Sequence, residues 1–156
     1  MRRFSRQSWA FPLLLSAIIA AAAPAAASSL CAVSISSPTS GAAVGQSGAV
    51  SGDAKVPQGD FLWLFAHPRG FDGWWPQGGV PAATSDGPWQ VTAYYGSPQD
   101  VGAVFELVAL TVDAKTNDAL RDWNASANAS GKFPPLRLPH SAPGCDAAKL
   151  SVKKTS

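Results

Sequence analysis

Hydrophobic residues are concentrated in three segments whose patterns are typical of β-strands. Residues 61–67 form an unbroken apolar run of strand length, rich in aromatic side chains, which predicts a central strand of the core. Residues 89–95 alternate between apolar and polar, so we expect one buried face and one exposed face. Residues 104–112 are apolar on both strand faces apart from Glu106 and Thr111, and such a strand must be covered on both sides.

The remaining apolar positions predict shorter strands and one helix. Pro81 is tolerated only at a sheet edge, so we expect an edge strand around it. From Thr116, the expected N-cap, Leu120 and Trp123 fall on one helical face, and the helix is predicted to pack Trp123 onto the sheet. The predicted short strands are 32–37, 49–52, 80–84 and 147–153, and the predicted helix spans about 116–127.

About seven short strands separated by turns roughly every ten residues are typical of a two-layer β-fold. We therefore predict an all-β, immunoglobulin-like antiparallel β-sandwich, with one short helix between the last two strands. In such sandwiches the first and last strands often lie side by side and parallel.

Residues 1–27 are typical of a cleaved signal peptide. Three arginines precede an apolar stretch at 11–23, and small residues stand before Ser28. A retained membrane anchor is the weaker interpretation, because prolines interrupt the stretch and no stop-transfer flank follows it. We expect one β-sandwich domain at 28–153 and a mobile tail at 154–156 in an exported chain, periplasmic or extracellular.

The formal net charge of +2 disappears when the predicted signal peptide is removed. Three of the twelve Lys and Arg residues leave with it, so nine cationic residues remain against ten acidic ones. A nearly neutral surface argues against nucleic acid or an anionic membrane as the partner. We expect a monomer without a membrane span, whose partner is a protein or glycan of the cell envelope.

The two cysteines, Cys31 and Cys145, lie near the two ends of the exported chain. In an oxidising compartment such a pair predicts one disulfide. The alternative is a lipid-modified Cys31, but Leu30 stands where a lipoprotein signal has a small residue. No second Cys or His lies at ligand spacing to either cysteine, so we expect neither a metal site nor a cofactor.

Several short motifs resemble those of a known class of domains. They are Ile35-Ser-Ser-Pro38 with Gly41 and Val44, Val50-Ser-Gly52, Leu62-Trp-Leu64, Trp75-Pro-Gln77, Asp86-Gly-Pro-Trp89 and Phe105-Glu-Leu-Val108. In order and spacing, over about residues 33–112, the chain is similar to small secreted bacterial β-sandwich domains with an immunoglobulin-like fold and no settled activity. The resemblance implies an extracytoplasmic accessory or recognition module, and it treats the tryptophans of these motifs as framework.

A catalytic role has weak support in the sequence. The chain lacks a G-x-S-x-G elbow, a His-Glu-x-x-His pair and a phosphate-binding glycine loop. A small hydrolase would have to use His67 as a base with Glu106 as an acid. The simpler interpretation is a strand-end histidine and a glutamate paired with Arg or Lys. We expect no enzyme.

Binding chemistry is better represented, in the aromatic segment after the first apolar run. Exposed aromatic rings with neighbouring polar groups suit sugar rings, peptides or a protein hot spot. Trp74 and Trp75 point in opposite directions if the backbone is extended, so at most one of them should enter the core. The candidate binding residues are Arg69, Phe71, Trp74 and Gln77, and the expected core framework is Trp63, Trp75, Trp89 and Phe105.

The sequence therefore predicts a secreted or periplasmic, non-catalytic recognition module that binds through an aromatic loop. The alternative is a structural protein of the cell envelope without a small ligand. In either case the loop is an exposed surface or a cap on one end of the sandwich.

Overall fold

The computed structural model describes residues 31–156. The predicted signal peptide, 1–27, lies outside the described residues. Within them, no helix is long and apolar enough to cross a membrane.

The described part of the chain is mainly β-structure with one helix. The strands are β1 (Ala32–Val33), β2 (Ala43–Val44), β3 (Ser47–Lys55), β4 (Phe61–Pro68), β5 (Trp75–Pro76), β6 (Gly87–Tyr94), β7 (Val104–Val112) and β8 (Ala148–Lys154), and the helix is α1 (Ala114–Ser130). The three segments with the clearest hydrophobic pattern thus became β4, β6 and β7.

The strands form two sheets, one of three strands in the order β1-β3-β6 and one of five in the order β2-β8-β7-β4-β5. Their facing sides share one apolar core, which contains Val50 and Trp89 from the smaller sheet and Leu64 and Leu107 from the larger. The architecture is therefore compatible with a β-sandwich. Its helix lies between β7 and β8, where the sequence placed it.

The central pair β4–β7 is apolar on both faces. Its even-numbered β4 residues, such as Leu64, face the smaller sheet, whereas Trp63 and Phe65 face the other side with their partners Leu110 and Val108. All of these side chains are buried. Because both faces are apolar, the second face also needs a cover.

Helix α1 supplies part of that cover. Leu120 is buried in the second core, and Asn117 Oδ1 accepts a hydrogen bond of 3.1 Å from the indole of Trp63. Burying a leucine side chain contributes about 1.5–3 kcal/mol, and the hydrogen bond satisfies an indole N–H that has no access to water. Through Leu120 and Asn117 the helix therefore makes both an apolar and a polar contact with the larger sheet.

The prediction for this helix was partly wrong. The N-cap is Asp113, whose carboxylate accepts from the backbone N–H of Thr116, and the C-cap is Gly131 in the left-handed conformation. The helix is thus longer at both ends than 116–127. Trp123 is only half-buried and its ring meets Phe133 edge-on at 6.1 Å, so Leu120 is the residue that packs on the sheet.

The bounds of the predicted short strands also differ from those observed, and two of these strands are shortened or absent. Strand β1 ends at Val33, and no strand covers 80–84, where a single bridge joins Ala83 to Leu62. The parallel neighbour of the last strand is β2, not the predicted first strand at 32–37. Strand β8 ends at Lys154, one residue later than predicted.

A disulfide joins Cys31 to Cys145, as the sequence predicts, with 5.1 Å between the Cα atoms. Both cysteines are buried, and the hydroxyl of Thr111 in β7 lies 3.7 Å from the sulfur of Cys31. The bridge therefore ties the segments before β1 and β8 to the end of the central strand. It closes a loop with a sequence separation of 114 residues.

We predict that the double substitution Cys31→Ser with Cys145→Ser lowers the free energy of unfolding by about 2–5 kcal/mol, because the long loop is then unconstrained in the unfolded chain. Urea denaturation followed by tryptophan fluorescence measures the change. Adding a reductant should shift the midpoint of the wild type towards that of the variant and leave the variant unchanged. An identical midpoint with and without the bridge would contradict the prediction.

Candidate functional site

The aromatic loop places its two adjacent tryptophans on opposite sides of the larger sheet. In β5, Trp75 is paired with Ala66, so both side chains lie on the same face of the larger sheet. Ala66 faces the smaller sheet, and Trp75 therefore points to that side. Trp74 points to the helix side and packs against the second core. The expectation that the two rings point in opposite directions is met, with Trp74 covering core residues and Trp75 half-buried at the edge.

Trp74 lies flat on the imidazole of His67, with 3.6 Å between ring centroids and 17° between ring planes. Its backbone is fixed by two hydrogen bonds of 2.8 Å with Leu136. Gly73 permits this approach, because a Cβ there would lie 2.5 Å from Pro135. Trp74 is thus half-buried and covers the imidazole of His67. The extended segment that precedes β8 holds it in place.

His67 and Glu106 are cross-strand partners at the end of the β4–β7 pair. The Nε2 atom of His67 lies 3.0 Å from Glu106 Oε2, and Arg69 Nε donates to Glu106 Oε1 at 2.9 Å. The hydrogen bond from His67, followed by that from Arg69, holds the pKa of Glu106 below its ordinary value. The glutamate is therefore ionised and paired, as the simpler sequence interpretation expects.

Both nitrogens of the His67 imidazole face oxygen acceptors. Nδ1 lies 3.0 Å from the carbonyl oxygen of Phe71, and Nε2 faces the Glu106 carboxylate. Each nitrogen is therefore within hydrogen-bonding distance of a protein oxygen, and Trp74 covers the ring. A bound molecule reaches either nitrogen only after one of these contacts opens.

A second arrangement lies on the other side of the loop, around Trp75. Its indole donates a 2.7 Å hydrogen bond to the carbonyl of Phe133, and Phe71 stacks on it with 5.3 Å between ring centroids. Phe71 and Phe133 are each 47% exposed. Trp75 therefore joins the aromatic loop to the segment after α1 and leaves two apolar rings at the surface.

Trp75 and Phe133 border an open groove of about 960 Å³ between the edge of β6 and the end of α1. We call it the aromatic groove and define it by four rings and two amides: Trp75, Tyr94, Trp123, Phe133, Gln90 and Asn128. Tyr94 is 62% exposed, which is unusual for a large ring. Among residues 31–156, no Asp, Glu, Lys, Arg or His lines the groove.

Gln77 fixes one end of the groove. Its side-chain Nε2 donates to the carbonyl of Trp75 at 2.9 Å, and its Oε1 accepts from the backbone N–H of Tyr94 at 2.8 Å. The residue is buried. Its amide therefore links Trp75 in the larger sheet to Tyr94 in the smaller sheet. Both polar atoms of the Gln77 side chain are thus engaged within the fold.

The structure divides the sequence-predicted binding residues between two places. Gln77 lines the groove and Phe71 stacks on its Trp75 without lining it, whereas Arg69 and Trp74 border a smaller, separate pocket with Glu106. The expected framework residues Trp63, Trp89 and Phe105 are buried. Trp75, which was expected to be buried with them, lines the groove.

Three residues that line the groove were not predicted from the sequence as binding residues: Tyr94, Trp123 and Phe133. The alternation of 89–95 does place Tyr94 on the exposed face, and an exposed tyrosine beside exposed Gln90 was a usable signal. The edge-on contact of Trp123 with Phe133 depends on the chain turning back after α1, which local pattern does not encode.

Within the described part of the chain, no group of three or more His, Cys, Asp or Glu residues could hold a metal ion. No protein-family model matches the chain, and a search of curated proteins found no match.

We predict that Glu106→Gln alters the pH dependence of stability. Because the pKa of Glu106 is lowered from 4.5 in the folded state, its carboxylate stabilises the fold above pH 4.5, and this contribution is lost as the pH falls through the folded-state pKa. The side chain is 37% exposed, so solvent screens the pairs and the difference should be at most about 1 kcal/mol.

Urea denaturation between pH 7 and pH 2.5 measures this difference between wild type and Glu106→Gln. It should be largest at neutral pH and shrink on acidification. Asp53→Asn is the matched control, since Asp53 is exposed and forms no ion pair within the described residues. A wild-type advantage that stays constant down to the lowest pH would contradict the prediction.

Proposed function

We propose that this protein is an exported, non-catalytic recognition domain that binds a protein or glycan of the cell envelope in the aromatic groove. The observation that carries the proposal is the groove itself, which is lined by four aromatic rings and by no Asp, Glu, Lys, Arg or His among the described residues. Depletion of charge with enrichment of Tyr, Trp and Phe is the composition of interface cores and hot spots.

The groove replaces the surface first expected for binding. Trp74 is engaged by His67 and Leu136, so its removal would uncover a core histidine and destabilise the loop. Tyr94 and Phe133 instead hold their rings partly in solvent, where contact with a partner costs little rearrangement. Phe71 extends the same surface through its stack on Trp75.

The geometry of the polar cluster supports a non-catalytic role. A general base must reach the proton that it removes, within about 2.6–3.2 Å. His67 uses both nitrogens for Phe71 and Glu106 and lies under Trp74. The hydrolase alternative would require this entire arrangement to open before any chemistry.

Export is supported by the disulfide, because such bonds persist in oxidising compartments and are rare in the cytosol. We also propose that the sandwich is related to immunoglobulin-like folds. The parallel pairing of β2 with the last strand, β8, supports this relation.

We predict that Tyr94→Ala and Phe133→Ala each weaken retention of the partner by at least about tenfold, because each removes a ring from the centre of the surface. The immobilised exported chain is probed with an array of neutral and acidic glycans and with displayed peptides. Folding of each variant is checked by its urea midpoint.

Val101→Ala is the control, since Val101 is also a large exposed apolar residue, at 53%, but does not line the groove. It should retain every probe that the wild type retains. If no glycan or peptide binds, or if all three variants bind like the wild type, the recognition role fails and a structural envelope role takes its place.

A further inference from the structure

The aromatic groove contains the unpaired edge of strand β6. This strand pairs with β3 on one side and is the last strand of the three-stranded sheet on the other. At eight residues it is longer than β1, β2 and β5, the other strands that end a sheet. An unpaired strand edge is a template for another extended chain.

The hydrogen bonds define which residues of β6 face outwards. The N–H of Tyr95 donates to Gln46 in line with β3, so the alternating residues Ala93, Val91 and Trp89 also bond inwards. The residues between them then direct their N–H and C=O groups to the free edge. Tyr94 confirms this direction, because its N–H reaches Gln77 on the groove side.

Two of these outward positions are already protected. Pro88 has no N–H to offer, which suits an edge strand, and Gln77 occupies the N–H of Tyr94. Gln90 and Thr92 remain, and their backbone N–H and C=O groups have no partner within residues 31–156. Both residues are exposed and line the groove.

The chemistry of the opposite wall favours a peptide over a sugar chain. A sugar presents many hydroxyls and needs side-chain acceptors and donors, whereas the described lining has no carboxylate or guanidinium. Asn124, a further amide residue of the lining, already donates to the carbonyl of Gly79. An extended peptide needs backbone partners about 6.8 Å apart, every second residue, which Gln90 and Thr92 provide.

Resting on the proposed function, we infer that the partner of this domain is an extended, uncharged peptide segment that adds to β6 as a further strand. The two N–H and two C=O groups of Gln90 and Thr92 bind its backbone. Alternate apolar side chains of the peptide contact the ring wall formed by Trp75, Trp123 and Phe133.

Amide hydrogen exchange tests the strand pairing directly. The probe is an uncharged eight-residue peptide, selected from a displayed library on the disulfide-bonded exported chain and then synthesised with blocked ends. Without the peptide, the amides of Gln90 and Thr92 should exchange faster than those of Val91 and Ala93, which bond to β3. With saturating peptide, Gln90 and Thr92 should slow by at least about tenfold.

N-methylation of each peptide amide in turn supplies the second measurement. Methylation removes a donor and blocks the edge, so affinity should fall by about tenfold at alternate positions and by less than about twofold between them. On the protein, Thr92→Pro deletes one outward N–H and should weaken binding by at least about tenfold. The peptide scan applies to the wild type and does not depend on the folding of that variant.

The outcomes separate this inference from the recognition role. A peptide that depends on Tyr94 and Phe133, but shows no alternation and does not protect Gln90 and Thr92, overturns strand addition and leaves groove binding intact. A neutral glycan that binds in place of any peptide has the same effect. If the amides of Gln90 and Thr92 are protected without peptide, and this protection rises with protein concentration, a second copy of the chain occupies the edge of β6. That result also overturns the inference.

Discussion

The pairing of β4 with β7 is the constraint on which the rest of the structure depends. Each of these strands is apolar on both faces, so the pair is stable in water only when two separate layers cover it. The three-stranded sheet covers one face. The other is covered by Leu120 of α1, by Trp74 and by the extended segment that returns through Leu136.

This double requirement explains why a helix and a long irregular segment stand between β7 and β8. It also explains why the chain after α1 comes to lie beside the aromatic loop, where it forms a wall of the groove.

The polar cluster follows from the same pairing. His67 and Glu106 lie on the helix-side face, at the end of the row that contains Trp63 and Phe65, where the apolar cover ends. The Glu106 carboxylate avoids full desolvation at this position because it keeps access to solvent, and Arg69 adds a second partner beside His67. The cluster thus closes the second core with a paired carboxylate and positions the Phe71 carbonyl at the start of the loop. The polar atoms of the cluster are thus engaged within the fold, whereas no charged residue of the described chain lines the aromatic groove.

Sequence pattern predicted the elements whose cause is local. The apolar runs of β4 and β7 and the alternation of β6 follow from which faces are covered, and the disulfide was predicted from a single pair of cysteines in a chain expected to be exported. The errors arise where a distant contact decides. Thr116 was a plausible N-cap, but Asp113 caps the helix because β7 ends immediately before it. Trp123 and Leu120 lie on neighbouring parts of one helical face, and only the docking angle, set in part by the bond between Asn117 and Trp63, decides which is buried. The different roles of Trp74 and Trp75 likewise depend on Phe133 and Leu136, about sixty positions later in the chain.

The protection of its edge distinguishes β6 from the other strands that end a sheet. A sandwich of two open sheets has strand edges that must be paired, shortened or covered. Here β2 and β5 are only two residues long, and β1 is equally short. Strand β6 is instead protected at Pro88 and, through Gln77, at Tyr94, while the stretch between them is left open opposite a wall of aromatic rings. A strand edge that is only being kept from aggregation is expected to carry charge or to turn away from apolar surface. The open part of β6 carries the exposed, uncharged side chains of Gln90 and Thr92 and lies in the same groove as the rings of Trp75, Trp123 and Phe133. This combination suits an edge that receives a partner strand, with Gln77 and Pro88 limiting where it can be placed.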